Sequence, residues 1–559
     1  MGNFDQRGMI RPEDNAHIER LSHLTYKAQP SGPQVSVRPF TSVRSAFEIV
    51  SIPLPVASDD CINISALSLP YLLSTLDAFA SLGHFACYWA GSNRFVKLTS
   101  TDTAAAGRLA RNGRIEIFVI DAQARLIDVF SVRFWMPRAD FYHTPDTRSP
   151  IRHLPLDLNV APPLPTEYDI DFPIDAVITW VDGSDPNWQR MVAQHLEGSE
   201  IDYDRYTSND ELRFAIRSIE MFAPWVRTIH VLSNCRPPSW FKSSKRVKWV
   251  DHADCGDPSI LPLFSSHSIE LLMSGITALS EHFIYFNDDT MLGKPCRPSD
   301  FFLRNGASIA RLESYGRALE FRGAKGLPEW QMAAANGAKL IHERFGYYPT
   351  RLHQHVPFAL RKSVLAEMET AFPEEVGRTR LRRFRSSDDI SPVSFLYHHF
   401  AIASGKAIAL TATSFIVRSN NFRDFKMKFE KGTTFDFLCV NDGEGSHADE
   451  NYTKFKHEFL PKMAPFAASC ESSSNAVRDI NIQKILGVDQ PEPPPRPIKE
   501  LSPWRRPLHR ALAIAVAPYQ PAEDRVRFRK NPVEYLSKAK VRGNRVLGKI
   551  LLRSDQRPY

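Results

Sequence analysis

The sequence predicts an α/β protein with a Rossmann-like, mostly parallel sheet in its catalytic domain, a small N-terminal α/β domain and a basic helical C-terminal tail. Three observations support this prediction. Apolar, β-branched runs alternate with amphipathic helical segments from Ile174 onward, as in strand–helix–strand units. Two of these runs, IDAVITWV and FIYF, end abruptly in polar turns that contain aspartate. The basic charge is concentrated at residues 496–559, which hold sixteen Lys and Arg against five Asp and Glu.

Bulk composition limits the class of protein. The chain has 559 residues, of which 43% are hydrophobic and 24% charged, as expected for a soluble protein of about three or four domains. Its seven scattered cysteines include no Cys-x-x-Cys pair, so we expect a reducing cytosol and neither a disulfide framework nor structural zinc. We find no apolar signal segment and no run of about 18 apolar residues, and we therefore expect a cytoplasmic protein.

Shifts in composition divide the chain into six segments. They are a flexible N-terminus (1–35), a small α/β domain (36–148), a Pro-rich linker (149–173), the catalytic domain (174–470), a second linker (471–497) and the basic tail (498–559). In the small domain, ALSLPYLLSTLDAFASLG predicts one or two helices, and IEIFVID with LIDVFSVRFW predicts paired strands. No pattern in that domain indicates a chemical function.

The catalytic domain begins with a strand, a turn and a helix. IDAVITWV predicts a buried strand, Gly183 a tight turn, Asp185 a helix N-cap and Pro186 the first helical position. A free helix N-terminus after a strand can cradle an anion, because its N–H groups and its dipole face the turn. By itself this signal is weak.

The next helix, ELRFAIRSIEMF, is predicted to be capped by Ser208-Asn209-Asp210. Arg213 and Arg217 lie one turn apart on its polar side and could clamp a diphosphate. The alternative is a solvated face with an Arg217–Glu220 ion pair, which the pattern by itself favours.

Two neighbouring carboxylates form the centre of the predicted site. SSHSIELLMSGITALSEH predicts a capped helix that carries His267, Glu270 and Ser274 on one face and leads into FIYF. Asp288 and Asp289 follow that buried strand, where mutual repulsion and lost hydration would be offset by a divalent cation bound to phosphate oxygens. For an isolated Asp-Asp pair, the alternative is a solvated acidic turn.

Further candidates follow residue 300. Trp330 begins a predicted helix and is a candidate pocket residue, although a packing role is favoured. His353 and His355 precede another predicted helix, and FDFLCV predicts a strand that ends in Asn441 and Asp442.

Four blocks of this sequence resemble those of the Stealth proteins, in the same order. They are IDAVITWVDGSDP; NDELRFAIRSIEMFAPWVRTIHVLSN with HSIELLMSGITALSEHFIYFNDD; HVPFALRKSV with RFRSSDD; and FLCVND. The resemblance covers roughly residues 174–445. This family includes bacterial capsular-polysaccharide phosphotransferases and the animal N-acetylglucosamine-1-phosphotransferase.

The resemblance implies transfer of a sugar-1-phosphate from a nucleotide-sugar, commonly UDP-linked, to a hydroxyl of a glycan acceptor. The implied catalytic residues are Glu270, Asp289, His355 and Arg385, with Arg382 and Arg383 close to the last of these. The predicted donor-binding residues are Trp180, Asp182, Gly183, Asp185, Asn209, Arg213 and Arg217. The predicted ligands of Mg²⁺ or Mn²⁺ are Asp288, Asp289 and Asp442.

The residue types suit attack on phosphorus, in which catalysis is mostly positioning and neutralisation of charge. Arg385, with Arg213 or Arg217, would neutralise the transferred group, and either His355 or Glu270 could take the acceptor proton. Two alternatives stay open: a metal-dependent glycosyltransferase that releases UDP, and a non-catalytic protein of capsule assembly.

The C-terminal tail carries a second prediction. Basic residues recur at helical spacing opposite an apolar stripe, at Lys538, Arg542, Arg545 and Lys549. This pattern predicts docking on an anionic inner-membrane surface, or else a tail folded back on the acidic body. We expect no nucleic-acid binding, which would require a basic groove with stacking aromatic residues.

Overall fold

A computed structural model describes residues 42–52, 61–81, 83–90, 95–99, 109, 111–138, 141–149, 151–155, 169–196, 206–324, 326–443, 446 and 449–472. The chain divides into two compact units, 1–489 and 490–559, and all described residues belong to the first. The predicted basic tail lies outside the described residues, so its docking on a membrane stays a prediction. Among the described helices, none has the length and apolar character needed to cross a bilayer.

The N-terminal part forms a seven-stranded sheet covered by two helices. Its elements are α1 (Val43–Ile49), β1 (Cys61–Ser65), α2 (Leu69–Ser81), β2 (His84–Trp89), β3 (Phe95–Lys97), β4 (Arg114–Asp121), β5 (Leu126–Pro137), β6 (Phe141–His143) and β7 (His153–Pro155). The strand order is β3-β2-β4-β5-β6-β7, and β1 pairs with β5. The predicted strand pair is confirmed, since β4 and β5 are antiparallel neighbours. Strand β7 lies inside the segment predicted to be a linker.

The central sheet is mostly parallel, as predicted. The elements up to its fourth strand are β8 (Ile174–Thr179), α3 (Pro186–Ala193), α4 (Glu211–Phe222), β9 (Ile229–Ser233), β10 (Val247–Asp251), α5 (Ser266–Glu270) and β11 (His282–Asn287). The order is β10-β9-β8-β11, all parallel. A fifth strand, β14 (Phe358–Arg361), adds antiparallel to β11. The carboxyl ends of β8, β9 and β11 therefore meet at one edge.

The remaining elements cover that sheet and extend its edge. They are β12 (Thr290–Leu292), β13 (Ser308–Arg311), α6 (Glu329–Phe345), α7 (Lys362–Ala371), α8 (Pro373–Arg380), a π-helix (Pro392–Tyr397), α9 (His398–Ala403), β15 (Ala407–Leu410), β16 (Ser414–Val417), α10 (Phe422–Glu430), β17 (Phe437–Val440) and α11 (Glu450–Met463). Strand β17 pairs with β12 and β16 in a small separate sheet.

Both faces of the central sheet are buried. Ile284 and Phe286 of β11 join one apolar cluster, whereas Phe283 and Tyr285 join a second cluster on the other face. Alternation of side chains along a strand requires this division. A near-continuous apolar run is therefore the expected sequence of a strand covered on both sides.

All seven cysteines are free thiols, as predicted.

Two predicted helices differ from the structure, one in its length and one in its cap. The helix predicted from Ser265 to about His282 is much shorter in the structure, where α5 ends at Glu270. Beyond it, Gly275 packs so tightly that a Cβ there would lie 2.1 Å from the carbonyl oxygen of Cys255. Asp210 does not cap α4 with its side chain, since it has a φ of 71° and accepts a hydrogen bond from Trp240 Nε1 at 2.7 Å.

A buried carboxylate ties the start of the central sheet to its neighbours. Asp175 of β8 accepts hydrogen bonds from the Arg227 guanidinium and from the backbone N–H groups of Thr228 and Ser280. Burial alone would raise its pKa, but the nearby His230 ring, 3.8 Å away, and these hydrogen bonds hold the pKa well below its usual range. The charged form therefore stabilises the fold above the ordinary pKa of 3.8, and this contribution is lost as pH falls.

We expect Asp175→Asn to lower the free energy of unfolding by about 3 kcal/mol, because it leaves Arg227 and two N–H groups without their anion. Urea unfolding at neutral pH measures this loss, and the variant should lose less stability than wild type on acidification. Asp171→Asn is the control, since the Asp171 side chain is 72% exposed. Equal stability of Asp175→Asn and wild type would contradict this assignment.

Candidate active site

A cavity of about 630 Å³ opens at the carboxyl edge of the central sheet. Each of three neighbouring parallel strands contributes lining residues where it ends: Thr179 and Trp180 at β8, Asn234 after β9, and Asn287 with Asp288 at β11. Open α/β sheets bind ligands at this edge, because the loops that follow the strands diverge there.

The four predicted catalytic residues all line this one cavity. Glu270 ends α5, Asp289 follows β11, His355 precedes β14, and Arg385 lies between α8 and the π-helix. Since they come from segments spread over more than a hundred residues, only the fold brings them together. Arg382 and Arg383 do not line the cavity, so its geometry favours Arg385 among the three arginines.

Glu270 is buried and held by the π-helix. Its carboxylate accepts hydrogen bonds from Val393 N and Ser394 Oγ, both at 3.1 Å. Burial raises its pKa, and the nearby positive charge of Arg385 opposes that rise. Arg385 Nη2 also donates to Ser266 Oγ at 2.7 Å, at the start of the helix that Glu270 ends. The short helix α5 and the π-helix therefore fix the carboxylate and the guanidinium as one unit.

The two carboxylates after β11 have different surroundings. Asp289 Oδ2 accepts from Asn441 Nδ2 at 3.2 Å and from Cys439 Sγ at 3.3 Å. Arg418 Nε in turn donates to Asn441 Oδ1 at 3.2 Å. The pKa of Asp288 is raised well above its usual value by desolvation and then by the negative charges of Asp289 and Glu211. This concentration of negative charge favours a bound cation.

The structure separates the two predicted histidines. The His353 ring is buried, with Nδ1 2.6 Å from Gln354 O and Nε2 accepting from Arg311 N, so both of its nitrogens bond to backbone. His355 instead presents an exposed ring to the cavity. Desolvation by the cavity walls lowers the pKa of His355, although the charge of Asp289 opposes this. This lowered pKa favours the neutral form of the ring.

Three family profiles match the part of the chain that forms this cavity. Profiles described as Stealth protein conserved regions 1, 2 and 3 match residues 172–194, 205–310 and 354–403. Residues 172–403 of this chain are therefore similar to the Stealth proteins in three conserved regions. Every region contributes to the cavity: region 1 supplies Trp180, region 2 supplies Glu270 and Asp289, and region 3 supplies His355 and Arg385.

Named relatives share this Stealth part. The capsular polysaccharide phosphotransferase SacB of Neisseria meningitidis serogroup A is 38% identical over 322 residues, which cover 55% of this chain and 58% of SacB. The exopolysaccharide phosphotransferase CpsY of Mycobacterium tuberculosis is 35% identical over 318 residues, which cover 54% of this chain and 59% of CpsY. The matches thus span less than two thirds of either relative.

Among solved structures, that of the galactosyltransferase LgtC in complex with donor and acceptor sugar analogues can be aligned. The alignment covers 52% of this chain and 96% of the LgtC chain. The sequence identity is 11% and the TM-score is 0.28. The bifunctional glycosyltransferase WbbM aligns with 61% of this chain and 54% of its own, with 10% identity and a TM-score of 0.29.

The turn after β8, which lies in the match to Stealth conserved region 1, is stabilised by its own hydrogen bonds. Asp182 Oδ1 accepts from Ser184 N and Ser184 Oγ, and a Cβ at Gly183 would lie 2.8 Å from Tyr206 O. Asp185 caps α3 through Asn187 N, as predicted, and also accepts from Arg236 N. The Asp185 carboxylate thus occupies this helix N-terminus, which disfavours an external anion there, and the predicted anion cradle stays an untested prediction. Of the four donor-binding candidates in the turn, only Trp180 lines the cavity.

The predicted diphosphate clamp is wrong. Arg217 Nε and Nη2 bind the two carboxylate oxygens of Glu471 at 2.5 and 2.7 Å, and Arg213 Nε binds Glu471 Oε2 at 2.7 Å. Neither arginine lines the cavity, and the Arg217 side chain is 4% exposed. The partner lies about 250 residues away in sequence, beyond the end predicted for the catalytic domain. Sequence spacing within α4 therefore could not reveal it.

A buried lysine, which the sequence patterns did not single out, neutralises part of the acidic cluster. Lys456 Nζ donates to Glu211 Oε1 at 2.9 Å and to both oxygens of Asp442 at 2.9 and 2.7 Å, and the Asp442 carboxylate also accepts from Asn209 Nδ2. This pairing contradicts the prediction of Asp442 as a metal ligand, and Asn209 does not line the cavity. Lys456 falls on the apolar face of α11 with Tyr452, which is the sequence signal that could have found it.

The metal-binding capacity of the site rests on Asp288 and Asp289. Among the described residues, no group of three or more His, Cys, Asp or Glu side chains is arranged to hold a metal ion. Mg²⁺ commonly binds through one or two carboxylates together with substrate phosphates. The raised pKa of Asp288 and the excess of carboxylates therefore fit a cation whose other ligands come from the substrate.

We expect Arg217→Lys to lower the free energy of unfolding by about 2 kcal/mol, because lysine cannot reproduce the bidentate pair with buried Glu471. The affinity for UDP, the nucleotide of the predicted donor, should stay unchanged. Urea unfolding and calorimetric titration with UDP measure the two quantities. Weaker UDP binding with unchanged stability would restore the clamp hypothesis.

Proposed function

We propose that this protein transfers a sugar-1-phosphate from a nucleotide-sugar, most simply a UDP-sugar, to a hydroxyl of a glycan acceptor in capsule or exopolysaccharide synthesis. The observation that carries this proposal is the presence of Glu270, Asp289, His355 and Arg385 around one cavity at the carboxyl edge of the sheet. The relatives' names, capsular and exopolysaccharide phosphotransferase, support the same reaction class.

The proposed step is an in-line attack on phosphorus. The acceptor oxygen forms a new P–O bond to the sugar-bearing phosphate, the phosphoanhydride P–O bond breaks, and a nucleoside monophosphate leaves. The bond between the sugar carbon and its oxygen is not broken, so the anomeric configuration is retained. The transition state is anionic and loosely bonded, so fixed positive charges contribute most to catalysis.

Residue roles follow from their surroundings. His355 takes the acceptor proton, because its lowered pKa favours the neutral form and its ring faces the cavity, whereas Glu270 is buried and already holds Val393 and Ser394. Arg385 and Arg418, which both line the cavity, neutralise the transferred phosphate in place of the two arginines of α4. Asp288 and Asp289 would hold one Mg²⁺ or Mn²⁺, which supplies neutralisation of the donor phosphates when bound.

The products of the reaction test this proposal. We expect phosphorus NMR of protein, Mg²⁺, a UDP-sugar panel and a short glycan to detect a new phosphodiester together with UMP. Asp289→Asn should lower kcat by about 100-fold or more, because the variant loses a negatively charged ligand of the cation that would neutralise the donor phosphates. Asp424→Asn, on an exposed ion pair with Lys428, is the control. Release of UDP would instead favour a glycosyltransferase, and no donor consumption by wild type would favour a non-catalytic role.

The pH profile tests the choice of base. A histidine accepts a proton only when neutral, and the pKa of His355 lies below its ordinary value of 6.5. We therefore expect the acid limb of kcat/KM to fall below pH 6.5, with activity constant from there to about pH 8. His355→Gln should retain low activity and lose this limb. If the limb persists in His355→Gln and disappears in Glu270→Gln, Glu270 is the base.

A further inference from the structure

An exposed aromatic surface borders the cavity in the segment between Stealth conserved regions 2 and 3. We name it the aromatic wall, and it consists of Tyr315, Arg317, Arg322, Trp330 and Tyr348. Tyr315 is 59% exposed and Trp330 is 40% exposed, although large aromatic side chains are usually buried. Trp330 and Arg317 line the cavity itself, so the wall continues the active-site surface.

A small core of its own supports this wall. Its buried members are Ala318, Phe321, Ala334, Ala338, Leu352 and Phe395. The Trp330 ring meets the Phe321 ring edge-on, with centroids 5.7 Å apart, which leaves much of the indole surface exposed. A Cβ at Gly337 of α6 would lie 3.1 Å from the Phe395 ring, so this glycine permits close packing of α6 on the π-helix. The wall is therefore a built surface held in a defined orientation.

The wall combines aromatic faces with positive charge. The Arg317 guanidinium lies 5.6 Å from the centroid of the Tyr315 ring. The Tyr348 ring is contacted by Arg322 at 4.1 Å and stacks on His342 at 4.0 Å, so Tyr315 and Trp330 provide the exposed aromatic faces. Arg317 Nη2 pairs with Glu313 at 2.9 Å, whereas its buried Nε has no hydrogen-bond partner among the described residues. Aromatic faces stack on sugar rings, and guanidinium groups bind phosphate oxygens. The surface therefore matches a ligand that carries both groups.

The wall adjoins the reacting groups. Arg317 and Trp330 line the same cavity as His355, the proposed base. Phe395 of the wall's core follows Ser394, whose hydroxyl donates to Glu270. A ligand on the wall is thus adjacent to the residues that would activate its hydroxyl.

We propose that the aromatic wall binds the acceptor glycan, and that it selects acceptors that already contain a phosphodiester. Such an acceptor is the product of an earlier transfer. An enzyme that prefers it adds further sugar-phosphate units to a glycan chain that has already been extended. This inference rests on the proposed function. A second group of aromatic residues, Trp180, Trp188 and Tyr206, lines the cavity at the sheet edge, but its two tryptophans are 6% and 3% exposed.

Binding and kinetics with two matched acceptors test the inference. Both are oligosaccharides of equal length, but one has an internal phosphodiester and the other only glycosidic bonds. We expect Trp330→Ala to raise KM and Kd for both acceptors about tenfold, and Trp330→Phe to restore most of the affinity. Arg317→Gln should remove the preference for the phosphodiester acceptor. Met427→Ala, which removes a side chain 46% exposed and outside the cavity lining, is the control.

The outcomes separate this inference from the proposed function. Unchanged acceptor KM and Kd in Trp330→Ala would overturn the inference while transfer itself continues. Weaker UDP binding in Trp330→Ala with unchanged acceptor binding would assign the wall to the donor base and also overturn it. If wild type binds the phosphodiester glycan through Trp330 but forms no new phosphodiester from any donor, the proposed function fails and the binding site stands.

Discussion

The arrangement of this site depends on how the protein tolerates several carboxylates in a confined space. Asp288 and Asp289 follow a strand buried on both faces, and Glu211 and Asp442 face the same cavity. Desolvation and mutual repulsion make such a group unfavourable by itself. The chain compensates in part with Lys456, which binds Glu211 and Asp442. The negative charge that remains at Asp288 and Asp289 is the reason for proposing that a cation binds there together with the donor phosphates.

The same balance of charge explains the different roles of four arginines. Arg213 and Arg217 bind Glu471, so they stabilise the packing of α4 against the end of the described chain. Arg385 and Arg418 line the cavity, where the side-chain oxygens of Ser266 and Asn441 accept hydrogen bonds from them. These hydrogen bonds orient both guanidinium groups at the cavity surface, whereas the Glu471 carboxylate neutralises Arg213 and Arg217.

The local sequence pattern was sufficient to predict an element or a cap when all the residues that determine it lie within a few positions of each other. The apolar run before Asp288 indicated a buried strand, and the Asp185-Pro186 pair indicated a helix start, because both signals lie within a few residues. Pattern failed for Arg217 and Asp442, whose partners Glu471 and Lys456 are distant or lie on another helix. Trp330 was expected to pack inside, yet α6 presents it to the cavity.

By itself, the sequence determined the strand–helix alternation and the mostly parallel sheet, and its resemblance to the Stealth proteins indicated the four residues that line one cavity. The alternation and the parallel pairing follow from short-range periodicity together with the general rules of α/β folds, so these features are readable along the chain. Tertiary structure alone decided which charges are neutralised internally and which face the cavity. It also decided which of His353 and His355 is exposed, because burial and partnership depend on contacts between segments far apart in sequence.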